Sequence, residues 1–351
     1  MKKNLKRISL LMAILLLSLA LLAGCGKGEE KPSDNGEKQP VDEGQTYELK
    51  LATVVSAPHP WIDMAEYFKS EVEAKTDGKV KVTVYPSGQL GADETTIDEM
   101  RSGTIDFVIG GTQNFASFIP EYQVFGLSYL FDSAEQFEKV LDANSPVSKK
   151  FAELYAEKKL GLKLLGLSNG GSRYTFNNLK PIEKPDDLKG LKMRLPGSPM
   201  ESKLWGAIGA IPTSLPFNEV YSAIQTGVVN AFEATLSGHI GSKTYEVAPY
   251  LSKTQHLFMV THFSMSEKTF DKLPEEYMNI VATAADEAAV LGSKNAMEAE
   301  AGLFKKLEEE FDTEINEVDK AAFAEVVAPL YEELAKDVGG EEILRMINEM
   351  K

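Results

Sequence analysis

The sequence predicts an α/β fold of two lobes bridged by one long helix, and three observations predict it. Residues 47–55 and Val80–Tyr85 read as strands on either side of an amphipathic helix, an order that implies a parallel pair with a right-handed crossover. At 351 residues, 43% of them hydrophobic, the chain exceeds what one core usually serves and divides naturally in two. An Ala-rich stretch over residues 274–311 has acids behind Pro274 in its first turn and no strong stop. At 1.5 Å per residue it spans on the order of 55 Å, more than one small lobe needs. Gly292 or Gly302 offers a point for it to bend.

The amino terminus stands apart from that fold. Lys2, Lys3, Lys6 and Arg7 precede an apolar run over residues 8–22, which reads as a secretory signal and is short for a membrane span. The run ends in Leu22-Ala23-Gly24-Cys25, which resembles the bacterial lipobox; that resemblance implies cleavage before Cys25 and a diacylglycerol-modified cysteine. Cys25 is the only cysteine, so no intramolecular disulfide and no cysteine-based metal cluster is possible. Residues 26–45 hold Val41 as their only large aliphatic side chain and read as a disordered tether, since they cannot repay their ordering entropy. Loss of the four signal-segment cations takes the formal charge from −16 to −20. A chain that acidic is a poor partner for nucleic acid, and an anionic ligand would need a local arginine site to hold it.

The folded sequence opens with the strand over residues 47–55. A loop, Ser56-Ala57-Pro58-His59-Pro60, leads into a helix through Trp61, Ala65, Phe68 and Val72. A helix over residues 93–101 stops at Gly103, and residues 105–109 form a buried strand running into Gly110-Gly111-Thr112-Gln113-Asn114, which suits a loop pressed against a ligand or a plain turn. Two helices follow, over residues 133–142 and 146–158, and then a strand over residues 162–167. Gly166-Leu167-Ser168-Asn169-Gly170 fits the G-x-S-x-G pattern of an esterase nucleophile elbow. An elbow needs a helix directly after its serine, whereas here an alternating, extended Arg173-Tyr174-Thr175-Phe176 comes next. The four histidines show no metal-ligand spacing, and no cofactor-binding motif occurs.

Residues 190–233 carry the strongest functional signal. Leu191, Met193 and Leu195 alternate with Lys192 and Arg194, and Pro196 ends the strand. Arg194 thus sits at a strand end, where open α/β sheets bind ligands, and a guanidinium there can grip an anion. In a buried strand its charge needs a partner: Glu219, Glu233 or a ligand carboxylate. A small-residue helix runs to Gly209. Pro216 starts another that Gly227 stops, and residues 228–232 read as a strand from which Glu233 emerges. Residues 259–265 form a return strand, and helices over residues 319–336 and 341–350 finish the chain.

Lys192-Met193-Arg194-Leu195-Pro196, Gly209-Ala210-Ile211-Pro212-Thr213, Phe217-Asn218-Glu219-Val220-Tyr221 and Gln225-Thr226-Gly227-Val228-Val229, in that order, resemble the signature of solute-binding proteins of TRAP (tripartite ATP-independent periplasmic) transporters. His59-Pro60 and Tyr85-Pro86-Ser87-Gly88-Gln89-Leu90-Gly91 extend the resemblance toward the amino terminus. It departs at Ser128, where a proline is usual, and at Ala234 and Thr235, which replace the asparagine and proline of sialic-acid binders. The resemblance implies a periplasmic-binding-protein-like fold with a cleft between lobe I (residues 46–170 plus 260–298) and lobe II (residues 171–259 plus 299–351). Hinge strands would run near Ser168 to Arg173 and near Met259. It implies that Arg194 pairs with a substrate carboxylate, that Arg173 helps close the site, that Phe217 forms an apolar wall, and that Glu233 holds an arginine or binds ligand polar groups. His59, Thr112 and Asn114 complete the expected ligand contacts. The expected partners are a small organic acid, membrane permease subunits and, through the Cys25 lipid, the cell membrane. The expected role is transport and not catalysis. An ATP-driven importer's binding protein, a secreted serine hydrolase and a sensor accessory protein are the alternatives.

Overall fold

Strands β1 (Tyr47–Ala52) and β2 (Val80–Tyr85) flank helix α1 (Pro60–Lys75) and pair in parallel, Leu49 beside Val82 and Leu51 beside Val84, as the sequence predicts. The computed structural model describes residues 45–351; the signal segment, Cys25 and the tether to residue 44 lie outside the described residues. β1 ends three residues before the predicted Val55, because Val54 and Val55 leave the sheet to line a cavity. Helix α2 (Asp93–Ser102) stops on left-handed Gly103, φ 81°. β3 (Phe107–Gly111) lies two residues later than predicted, so Gly110 and Gly111 belong to the strand and Thr112–Phe115 forms a 3₁₀ turn.

Helices α3 (Ala134–Leu141) and α4 (Pro146–Glu157) begin on Ser133 and Ser145, whose hydroxyls accept backbone N–H bonds from Gln136 and Ser148. After them the two predicted extended pieces merge into one 16-residue strand, β4 (Leu162–Asn177). Its antiparallel partner, β8 (Tyr250–Ser266, 17 residues), is more than twice its predicted length. They pair from Leu162 beside Ser266 to Asn177 beside Tyr250, with register shifts between Asn169 and Ser172 and between Arg173 and Thr175.

This ladder is the spine of a nine-stranded sheet ordered β2-β1-β3-β8-β4-β7-β5-β6, with β9 (Glu314–Asn316) beside the start of β8. The carboxyl half of β8 carries β3, β1 and β2, and the carboxyl half of β4 carries β7, β5 and β6. β5 (Lys192–Leu195), α5 (Pro199–Ile208) and β6 (Ile211–Ser214) make a second parallel unit. A 3₁₀ turn, Phe217–Glu219, then leads into α6 (Val220–Gln225). β7 (Ala231–Thr235) starts three residues later than predicted, because the turn at Gly227 is closed by a bond from the Val229 N–H to the Ala223 carbonyl, leaving Val228 exposed. Glu233 therefore does not emerge from the sheet: it is mid-strand and buried. α7 (Leu236–Gly241) and α8 (Glu267–Lys272) are short.

Helix α9 (Glu275–Glu310, 36 residues) matches its prediction to within one residue at each end. Its first half buries Met278, Val281, Ala285 and Ala288 in the core formed with α1, β1 and β3, whereas Leu307 near its end joins the core of β7, α6 and α7. It thus spans the two halves of the sheet. Where it crosses β4, Ala296, Ala299, Gly170 and Gly171 line a narrow gap with Pro60 and Leu236. Gly292 has a reason other than bending: a Cβ there would lie 2.3 Å from Met64 Sδ, so the glycine lets α1 and α9 approach. The predicted helix over residues 319–336 is two, α10 (Lys320–Val327) and α11 (Tyr331–Asp337). They are separated by a 3₁₀ turn at Ala328–Leu330, where Pro329 has no amide to donate. α12 (Glu341–Glu349) ends the chain. Among the described residues no helix is long and apolar enough to cross a membrane.

The two glycines of α9 predict opposite responses. Gly292→Ala forces the buried Met64 aside and should lower stability to urea by about 1–3 kcal/mol. At Gly302 a Cβ meets nothing within 4 Å, so Gly302→Ala should raise it by about 1 kcal/mol. Equal shifts in the unfolding midpoint would contradict the packing role of Gly292.

Candidate ligand-binding site

A cavity of about 430 Å³ opens at the carboxyl ends of β5 and β7, facing the amino-terminal ends of α1 and α2 and the end of β3. Arg194, Arg173, Phe217, His59 and Asn114, five of the seven expected ligand contacts, line it.

Arg194 is the third residue of β5 and only 2% exposed. Its Nε donates to the Leu215 carbonyl at 2.8 Å, and its guanidinium carbon lies 5.7 Å from the centre of the Phe217 ring. Among the described residues it forms no ion pair within 4.0 Å. Of its candidate partners, Glu219 is exposed and Glu233 is committed elsewhere. Burial pulls its pKa down to about 10 against the attraction of Glu233, with Arg173 pulling the same way as burial, and it remains a cation at neutral pH.

Arg173 faces β7 diagonally. Register places it beside Thr235 and places Thr175 beside Glu233, so the Arg173 and Glu233 side chains share a face two residues apart. The fork is satisfied internally: Nε and Nη2 each donate to a different oxygen of Glu233, and Nη2 also to the Glu233 carbonyl at 3.1 Å. Burial opposes ionisation of Glu233, but the Arg173 charge, with His256 and Arg173 hydrogen bonds, holds its pKa down at about 2. His256 Nε2 lies 3.5 Å from Glu233; burial lowers the pKa of that imidazole.

The opposite wall is polar. Asn114 Nδ2 donates to Asp93 Oδ2 at 2.9 Å, while its Oδ1 accepts from the Gly197 N–H at 3.2 Å, joining the α2 side of the cavity to the β5 side. Burial raises the Asp93 carboxyl to about 7 despite the pull of Arg194. His59 caps α1, its Nδ1 accepting from the Trp61 N–H at 3.2 Å. Its proton therefore sits on Nε2, 3.5 Å from the Thr235 hydroxyl, and burial followed by the nearby Arg173 lowers its pKa to about 3. It is a neutral donor.

Two expected contacts lie elsewhere. Glu233 is behind Arg173 and not in the cavity lining, and Thr112 turns its hydroxyl to the Val260 carbonyl at 3.3 Å while its neighbour Gln113 lines the cavity. Asp93, Trp61 and Met259 line it without having been expected as ligand contacts, and Gln113 lines it from the polar loop read as suited to a ligand. Ser168 occupies the middle of β4, buried, its hydroxyl directed at Met64 Sδ at 3.5 Å. The strand continues for nine residues beyond it, so the strand–turn–helix of a nucleophile elbow does not form.

Two α/β halves about a cationic cleft define the class of two-lobed solute-binding proteins. Residues 51–337 match the model of "Bacterial extracellular solute-binding protein, family 7", and the chain belongs to that family, the solute-binding proteins of TRAP transporters. A solute-binding protein of Sulfitobacter sp. (strain NAS-14.1) is 31% identical over 85% of this chain and 90% of its own length. The crystal structure of a TRAP periplasmic solute-binding protein from Sulfitobacter sp. NAS-14.1 with bound β-D-galacturonate superposes with a TM-score of 0.79, 31% identical over 86% of this chain and 98% of that one. Another from Sulfurospirillum deleyianum with bound succinate gives 0.82, 29% identical over 88% and 100%.

Breaking the Arg173–Glu233 pair from one side strands a buried charge, so Glu233→Ala should destabilise the protein by about 3–5 kcal/mol in chemical unfolding. The folded pKa of Glu233 lies below its ordinary 4.5, so its contribution is complete above that value and is lost as pH falls toward about 2. The melting-temperature gap between wild type and Glu233→Gln should accordingly narrow from pH 6 to pH 3, and a constant gap would contradict the pairing.

Proposed function

We propose that this protein captures a small hydroxylated organic acid and delivers it to a membrane permease, held at the membrane by a lipid on Cys25. The observation that carries the reading is Arg194: a buried cation in a cavity wall, with no carboxylate of the described protein paired to it. A buried charge is tolerated when something neutralises it, and a ligand carboxylate meets the guanidinium fork with two parallel hydrogen bonds. Phe217 forms the apolar wall beside that pair.

The far wall supports the ligand class. Asp93, Asn114 and Gln113 bring acceptors and donors to the cavity lining, and Asp93, when ionised, repels a second carboxylate. The galacturonate seen in the Sulfitobacter structure is an acid of this hydroxylated type, and the succinate of the Sulfurospirillum structure is the dicarboxylate that Asp93 disfavours. We place the lobes at residues 46–170 plus 260–298 and 171–259 plus 299–351. The register shifts around Gly170–Gly171 and Met259 support a hinge between them. Arg194, Arg173 and Phe217 then belong to one lobe and Asp93, Asn114 and His59 to the other, so a ligand touching both favours the closed state, which is what a permease can read. The signal segment and Leu22-Ala23-Gly24-Cys25 support the extracytoplasmic, anchored form.

A thermal-shift screen of organic acids on the soluble form beginning after Cys25 tests the reading, since binding raises the melting temperature by linkage. Sugar acids should stabilise more than dicarboxylates. For the best ligand, calorimetry should show Arg194→Lys weakening affinity at least tenfold, about 1.4 kcal/mol, because the paired contact is gone. Unchanged affinity would remove Arg194 from the site.

A further inference from the structure

Beneath the two arginines lies a carboxyl that the binding reading does not use. Glu201 is the third residue of α5, whose cap Ser198 accepts its backbone N–H at 3.2 Å. Ser198-Pro199-Met200-Glu201 has the spacing of a capping box, in which the glutamate would reach back to the Ser198 N–H. Here that N–H bonds the Pro196 carbonyl instead, and Glu201 turns inward, 1% exposed. Neither of its oxygens meets a donor among the described residues. The backbone of Gly126 closes over it: a Cβ on that residue would lie 2.6 Å from Oε1. The charged groups that act on it are Glu233 of β7, Arg173 of β4 and Arg194 of β5, with His256 of β8 against Glu233. Neither arginine is within ion-pair distance of it.

A carboxylate buried without donors or a paired cation is costly, and the neutral acid is the form such a place favours. We propose that Glu201 is a positioning residue held as a neutral acid, so that the site keeps one net positive charge and an acidic ligand is bound only with that proton in place. With Asp93 neutral, two guanidinium charges against the Glu233 carboxylate leave one positive charge, the complement of one ligand carboxylate. Ionised Glu201 would cancel it. Burial, and then the repulsion of Glu233, raise its pKa to about 8, opposed by Arg173 and Arg194. A pKa above the ordinary 4.5 places the proton-linked window on the alkaline side, so the contribution of Glu201 to affinity is full at neutral pH and falls as pH rises through about 8. The ligand class rests on the function proposed above; the protonation of Glu201 does not.

Two measurements on the soluble form test this. Infrared difference spectra of ligand-free protein at pH 6 and pH 9.5, compared among wild type, Glu201→Gln and Asp93→Asn, should show a neutral carboxylic-acid carbonyl band. The band should vanish in Glu201→Gln, survive in Asp93→Asn, and convert to carboxylate at the alkaline end. Absence of a band assignable to Glu201 overturns the proposal, whatever the ligand proves to be. Calorimetry with D-galacturonate, D-galactonate and D-erythronate as probes should show affinity in the Asp93→Asn background weakening by up to about tenfold per pH unit above 8. Adding Glu201→Gln should flatten that slope. An unchanged slope overturns the coupling. If no probe binds, the ligand class above fails while the infrared result still decides the state of Glu201.

Discussion

Three charges in a dry place govern this molecule. Arg173, Arg194 and Glu233 lie on adjacent strands with almost no contact with water, where an unmatched charge is far more costly than at a surface. One guanidinium takes the carboxylate on both its oxygens, and register explains which: the face shared by β4 and β7 sets Arg173, not Arg194, diagonal to Glu233. Arg194 is restrained by a backbone carbonyl and an aromatic ring, neither of which neutralises it. The fold thus builds an incomplete ion-pair set and aims the incomplete end into the cavity.

The long β4–β8 ladder makes that arrangement possible. It places strands that come early and late in the chain within one sheet, and its register shifts fall beside the site, at Asn169 to Thr175. Polar residues on the opposite side come from different pieces of chain: Asp93 from a helix start, Asn114 from a 3₁₀ turn, His59 from a helix cap. Each is fixed by a local task. His59, for example, caps α1 and only then presents its second nitrogen to the cavity.

What was legible in the sequence follows from this. Periodicity located β1 and β2, and terminal signals such as Pro274-Glu275-Glu276 and Gly103 located α9 and α2. The strong local pattern around Arg194 and Pro196 placed Arg194 near the end of a strand, where β5 has it. Periodicity failed on β4 and β8, where bulges break the alternation and a polar run, residues 252–256, lies inside a strand. It also misplaced β7, since Val228 has strand character but belongs to a turn. Asp93 and Glu201 were illegible as site residues: each looks like an ordinary acid in a helix's first turn, and only tertiary burial separates them from the exposed acids Glu94 and Glu275. Thr112 and Gln113 show the same limit at the scale of one residue, since which of two neighbours faces a cavity depends on the turn that carries them.

The gap where α9 passes Gly170 and Gly171 has a mechanical meaning. Dense interiors move as blocks, and deformation collects where matter is thin. Gly170, Gly171, Ala296 and Ala299 line the seam there, together with Pro60, Leu236 and Leu303. If the two lobes proposed above shut on a ligand, this seam is where β4 would bend against the helix while the packed interiors on either side stay stiff.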